Sequence, residues 1–158
     1  MSRLESMMRR LAAQRDGLNW VAEQIAGHPG DVLDLGLGNG RTYDHLREIL
    51  PDRRIWVIDR ELNCHPSCTP LAEDFLEGEA EPMLARLAEN GPGIVFAHYD
   101  LGTGIKQQDV AEAARLSPMI AAVMRPGGWI VSGQPLVGFE QISGPESIAP
   151  DRYLFYRS

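Results

Sequence analysis

Residues 32 to 43 read VLDLGLGNGRTY, and this stretch constrains the fold more than any other. A short apolar run that ends in Gly36, Gly38 and Gly40 is a buried strand meeting a sharp backbone turn. Glycine enters left-handed conformations without strain and, lacking a Cβ, lets a ligand lie against the main chain. Beyond the turn, Tyr43, Leu46, Ile49 and Leu50 recur at helical spacing until Pro51, and RIWVID at residues 54 to 59 is the next apolar strand. Strand, glycine turn, helix and strand within about 30 residues is the size of a βαβ unit. Parallel strands joined through a helix need a sheet covered on both faces.

The remainder continues the alternation. Residues 79 to 90 read as a helix, GIVFAHYD at 93 to 100 as a buried strand, 107 to 124 as a longer helix, and PGGWIVSG at 126 to 133 as a turn into another strand. LVGFEQI and RYLFYRS flank SGPESIAP and read as two strands joined without a helix, which makes an antiparallel edge. The expected fold is therefore α/β: a Rossmann-like, open, mostly parallel sheet with helices on both faces and an antiparallel C-terminal edge. Leu4, Met7, Met8 and Leu11, then Leu18, Val21, Ala22 and Ile25, predict two N-terminal cap helices separated at Asp16–Gly17. A chain of 158 residues suits one domain, divided into a helical cap at 1–27 and an α/β core at 28–158. The apolar tail residues Phe139, Tyr153, Leu154, Phe155 and Tyr156 predict an exposed edge and a homodimer.

Charge narrows the partners. Twenty-two acidic residues against fifteen Lys and Arg give a net charge of −7, a field that repels phosphate backbones and anionic lipid. Nucleic acid and membrane are accordingly not expected partners. The N-terminal MSRLESMMRRLAAQR has no secretory pattern and no window is apolar for the roughly 18 residues a span needs, so a cytoplasmic location is expected. The CHPSC stretch brings Cys64, His65 and Cys68 together, but a zinc site needs three or four ligands and no second Cys/His pair follows, so reduced thiols in a loop are expected.

The ligand can be read from the acids around the glycines. A dinucleotide fingerprint, G-x-G-x-x-G, would place its third glycine at position 41, which is Arg41. Asp34 beside a pyrophosphate would set negative charge against negative charge. It suits a ligand with a cation nearby. Asp59 ends the next strand nineteen positions after Gly40, where a ribose-binding carboxylate falls in such a unit. The ligand thus carries both a cationic end and a ribose.

VLDLGLGNG followed by WVID resembles the first two motifs of the class I S-adenosylmethionine-dependent methyltransferases. Their ligand has an α-amino group, a sulfonium and an adenosine. The resemblance implies S-adenosyl-L-methionine as cofactor, with Asp34 near the methionine amino group, directly or through water. It places Gly36, Leu37, Gly38, Asn39 and Gly40 along the methionine and ribose, and Asp59, with Arg60 beside it, at the ribose hydroxyls. AEDF at 72 to 75 is similar to the adenine-contacting position, implying Asp74 and Phe75. HYDLG at 98 to 102 matches the position lining methyl transfer, and PGGWIVSG the turn into the fifth strand. The likeness spans residues 31 to 133 and implies a small-molecule acceptor, read by the N-terminal helices, the loop after Asp100, the tail or a partner subunit.

Methyl transfer from a sulfonium is an in-line displacement in which alignment does much of the work. An acceptor that carries a proton needs a base, and His98 and Asp100 are the candidates, His98 also counting among the cofactor-lining residues; its unperturbed pKa suits the task best. The competing reading of His98 is a packed strand histidine with its ring hydrogen-bonded; of Asp34, a buried helix-capping acid; of Asp59, a turn residue. Met7 and Met8 read as core at helical spacing. With Asp100 the one plausible hard ligand beside Gln134, no metal is predicted. The other functional classes considered are a nicotinamide oxidoreductase and a non-catalytic module that binds S-adenosylmethionine.

Overall fold

A computed structural model describes all residues from Met1 to Ser158. The chain runs α1 (Arg3–Gln24), β1 (Asp31–Leu35), α2 (Arg41–Ile49), β2 (Ile55–Asp59), β3 (Phe75–Glu77), α3 (Ala80–Glu89), β4 (Ile94–Tyr99), α4 (Lys106–Val123), β5 (Met124–Ser132), β6 (Glu140–Ile142) and β7 (Leu154–Arg157). One seven-stranded sheet has the order β3-β2-β1-β4-β5-β7-β6. All pairs from β3 to β5 are parallel, while β7 is antiparallel to both β5 and β6. This is the expected mostly parallel sheet with an antiparallel element at its C-terminal side. Every residue of β4 is buried, as befits a strand at the centre of a sheet covered on both faces.

Side chains of β1 alternate between two cores. Leu33 and Leu35 join Leu84 and Leu87 of α3 and Ala113, Leu116 and Ile120 of α4 on one face. Val32 points to the other, with Leu18 and Val21 of α1 and Tyr43 and Leu46 of α2. That alternation sends Asp34, and its cross-strand partner His98, into the α1/α2 face.

Two expectations are corrected here. The N-terminal segment is one helix of 22 residues, not two, and it starts with a capping box in which Glu5 N–H donates to Ser2 Oγ and Ser2 N–H donates to Glu5 Oε2. Asp16–Gly17 does not break it, because Gly17 is buried against β7: a Cβ there would lie 3.3 Å from Phe155 Cζ. The helical cost of glycine, about 1 kcal/mol, is offset by the close approach and by burial of Leu18 and Val21. Leu4, Met7, Met8 and Leu11 are exposed rather than core.

The tail is the second correction. Tyr153, Phe155 and Tyr156 are buried, and Phe139 and Leu154 pack partly buried against the core, because β7 is inserted between β5 and β6 instead of lying at the rim. These aromatics build the sheet's own core instead of an exposed apolar edge.

Candidate active site

A cavity of about 950 Å³ opens at the carboxyl ends of β1, β2 and β4, with α1 lying across it. Its floor is the turn after β1. Gly36 adopts φ 105°, and a Cβ there would stand 2.8 Å from the Asp100 carbonyl oxygen, so the loop after β1 and the loop after β4 approach as closely as they do only with glycine at this position. Gly40, also left-handed, caps α2 and packs against the Cys64–Cys68 loop, where a Cβ would fall 2.6 Å from Cys68 Cβ. The two cysteines are free and serve as packing beneath the glycine turn.

Asp59 ends β2 and ties the turn down. Its Oδ2 accepts from Gly38 N–H at 3.0 Å and its Oδ1 from Arg60 N–H at 2.6 Å. Gly36, Leu37, Gly38, Asn39, Asp59 and Arg60 all border the cavity, as does Asp100. Asp100 follows β4 and receives Gln14 Nε2 at 3.0 Å and Arg10 Nη2 at 3.4 Å from α1. Burial pushes its pKa up, against the pull of the His98 and Arg10 charges, so this carboxylate is a stronger base than an exposed one.

Asp34 and His98 are placed differently from the expectation. Both are fully buried beneath the cavity rather than on its wall. His98 Nδ1–H donates to Asp34 Oδ1 at 2.8 Å, Thr42 Oγ1 donates to Asp34 Oδ2 at 3.3 Å, and His98 Nε2 meets the Tyr153 hydroxyl at 3.2 Å. Burial opposes a charged imidazole, but the hydrogen bond and charge of Asp34 outweigh it and raise the His98 pKa above its ordinary value. Burial lifts the Tyr153 pKa, so its hydroxyl stays neutral beside His98 Nε2. The pair therefore links β1, just before the glycine turn, to β4, and neither residue is among those that border the cavity.

Asp74 and Phe75 lie outside the lining of the cavity. The strand FLE runs through Phe75 to Glu77, so Asp74 stands at the far, amino end of β3, where Arg54 Nε donates to its Oδ1 at 2.6 Å. The residues that reach the cavity from β3 are Gly78, Glu79 and Ala80. The prolines of CHPSCTPLA obscured where the strand begins, and FLEG was the available signal.

Further lining comes from residues with no recognisable motif. Arg3, Met7, Arg10 and Gln14 share one face of α1 at helical spacing and all border the cavity. Asp109 accepts from Thr103 N–H at 2.7 Å and Gly104 N–H at 3.1 Å and so fixes the loop after β4; the Thr103 amide holds its pKa down. Tyr99, on the opposite face of β4 from His98, lines the cavity with a buried hydroxyl that has no hydrogen-bond partner within the chain.

A glycine floor, a carboxylate at the end of the second strand and an orphaned buried hydroxyl fit a ribose-bearing ligand with polar edges. A family model described as S-adenosyl-L-methionine methyltransferase matches residues 1–158. The chain belongs to this methyltransferase family. It is 33% identical to a crystal structure of S-adenosyl-L-methionine methyl transferase from Silicibacter pomeroyi DSS-3, with a TM-score of 0.92 over 99% of this chain and 98% of that one. Two more distant methyltransferases share the fold alone. The O-methyltransferase TomG from Streptomyces achromogenes, in complex with S-adenosylmethionine, is 18% identical with a TM-score of 0.51 over 84% of this chain and 56% of that one. Human methyltransferase-like protein 13, in complex with S-adenosylhomocysteine, is 11% identical with a TM-score of 0.56 over 94% and 80%. No curated protein matches the chain. The methyltransferase uses S-adenosylmethionine, and a nicotinamide oxidoreductase is set aside by its family.

Proposed function

We propose that this methyltransferase acts on a small-molecule acceptor by in-line transfer, with Asp100 as the proton acceptor. The observation that carries the reading is the cavity: about 950 Å³ for cofactor and acceptor together, bounded on one side by α1 and on another by the strand ends. That is the scale of small-ligand sites, roughly 300–1,000 Å³, rather than of a channel tracking a polymer. The net charge of −7 also disfavours nucleic acid as acceptor. No helix is long and apolar enough to cross a membrane.

When bound, S-adenosylmethionine supplies a methyl group on a sulfonium, open to displacement by a nucleophile. Asp59 and the amides of the glycine turn would hold the ribose and methionine portions, and Gly78, Glu79 and Tyr99 the adenine side. Arg10 and Gln14 aim the Asp100 carboxylate, whose raised pKa suits it to take a proton from an incoming hydroxyl or ammonium.

The test is release of S-adenosylhomocysteine, followed by mass spectrometry with a panel of small hydroxyl, amine, thiol and carboxylate acceptors. Turnover with a small acceptor, lowered about 10²-fold or more in Asp100→Asn, supports the proposal. Turnover confined to protein or nucleic-acid acceptors would refute it.

A further inference from the structure

The charges around the cavity are unevenly satisfied. Five acids border it, and each already has a partner in the chain. Asp59 accepts from Gly38 and Arg60 amides, Glu79 pairs with Arg60 at 3.2 Å, and Asp100 takes Gln14 and Arg10. Asp109 is held by the Thr103 and Gly104 amides, and Glu112 pairs with Arg115 at 3.3 Å. Five arginines border the same space: Arg10 and Arg60 are the ion-paired ones just named, whereas the guanidinium groups of Arg3, Arg41 and Arg152 have neither an ion pair nor a hydrogen bond. Arg152 is half-buried, a position in which an unpaired cation is most costly.

The bound cofactor accounts for only part of this. Its amino group and sulfonium outweigh its single carboxylate, so it adds net positive charge to a wall that already has spare cations. One carboxylate is matched by one bidentate guanidinium. Arg41 follows the glycine turn directly, at the first position of α2, and is the arginine placed for it. Arg3 and Arg152 come from elsewhere, from α1 and from the segment leading into β7, and both reach the cavity. Helix α1 also contributes Met7 and Leu11, exposed apolar side chains bordering the same space.

The geometry points to an acceptor that carries an oxyanion, a carboxylate or a phosphate, attached to an apolar body, with Arg3 and Arg152 binding the anion and Met7 and Leu11 the body. Arginine is suited to the task because its planar fork matches both oxyanions. This inference rests on the methyl-transfer reading and adds the chemical class of the acceptor.

Calorimetry tests it in two steps. The protein is first titrated with S-adenosylhomocysteine; absence of binding at this step would overturn the methyl-transfer reading itself. The saturated complex is then titrated with benzoate, phenyl phosphate, benzyl alcohol and benzylamine, and the same series is run on the double variant R3Q/R152Q and on R3K/R152K. One or both anions should bind, the choice between them separating carboxylate from phosphate, and the alcohol and amine should bind at least about ten-fold more weakly. R3Q/R152Q should lose at least about ten-fold in anion affinity, keep its S-adenosylhomocysteine affinity within about two-fold, and be partly rescued in R3K/R152K. Equal binding of the neutral or cationic probes, no binding of either anion, or unchanged anion affinity in R3Q/R152Q would overturn the inference. So would loss of S-adenosylhomocysteine binding in that variant, since the arginines would then serve the cofactor's carboxylate.

Discussion

At the scale of single residues, the buried pair Asp34–His98 organises the site from below. Asp34 sits two positions before the first glycine and His98 opposite it on β4, so one hydrogen bond of 2.8 Å couples the approach to the glycine turn to the strand that Asp100 follows. Because the folded-state pKa of His98 is raised above the roughly 6.5 of the unfolded chain, the folded protein holds that proton more tightly. The stability it confers is complete below about pH 6.5 and is lost as pH rises through the higher folded value. Chemical denaturation across that range should show stability falling with pH in the wild type, and His98→Asn should flatten the fall. Asp34→Ala strands a buried imidazole and should cost about 3 kcal/mol in the same measurement. Both residues stand out in the sequence, Asp34 from its glycines and His98 from its strand end. Their pairing across 64 residues depends on the β1–β4 register, which a single chain does not spell out, and so both were expected on the cavity wall.

At the scale of elements, apolar period and glycine position were enough to find β1, α2, β2, α3, β4, α4 and β5, because each is either a run buried on both faces or a helix with one apolar stripe. Elements whose limits are decided by distant packing were harder. Gly17 reads as a break until β7 is seen against it, and β3 is three residues long behind a proline-containing loop. With β3 at Phe75–Glu77, Asp74 pairs with Arg54 at the amino ends of β2 and β3, away from the cavity. Asp74→Ala should therefore lower stability by about 1 kcal/mol, with half-exposed Arg54 limiting the loss, while leaving S-adenosylhomocysteine affinity unchanged. Thermal melting and titration of the same variant check both halves. The turn between β1 and α2 should behave oppositely: Gly36→Ala places a Cβ against the Asp100 carbonyl at positive φ, adds about 1–3 kcal/mol of strain and should abolish measurable cofactor binding.

At the scale of the whole molecule, the cavity belongs to no single motif. Its floor comes from the βαβ unit, one wall from α1, another from the loops after β3 and β4, and Arg152 from the approach to the last strand. Sequence reading reached the floor, since glycines and strand-end acids carry a local signature. It did not reach Arg3 and Arg152, which meet at the cavity only when helix α1 folds over the strand ends. An acidic chain of net charge −7 that places three unpaired arginines, Arg3, Arg41 and Arg152, at one cavity separates long-range repulsion of polyanions from local attraction of a small one. In the proposed function the turn after β1 and Asp59 together form the cofactor site. Calorimetric titration with S-adenosylhomocysteine tests it most directly: wild type should bind with a dissociation constant on the order of 1 μM or tighter, and Asp59→Ala should weaken it about ten-fold or more. No binding by the wild type, or the same affinity in Asp59→Ala, would contradict it.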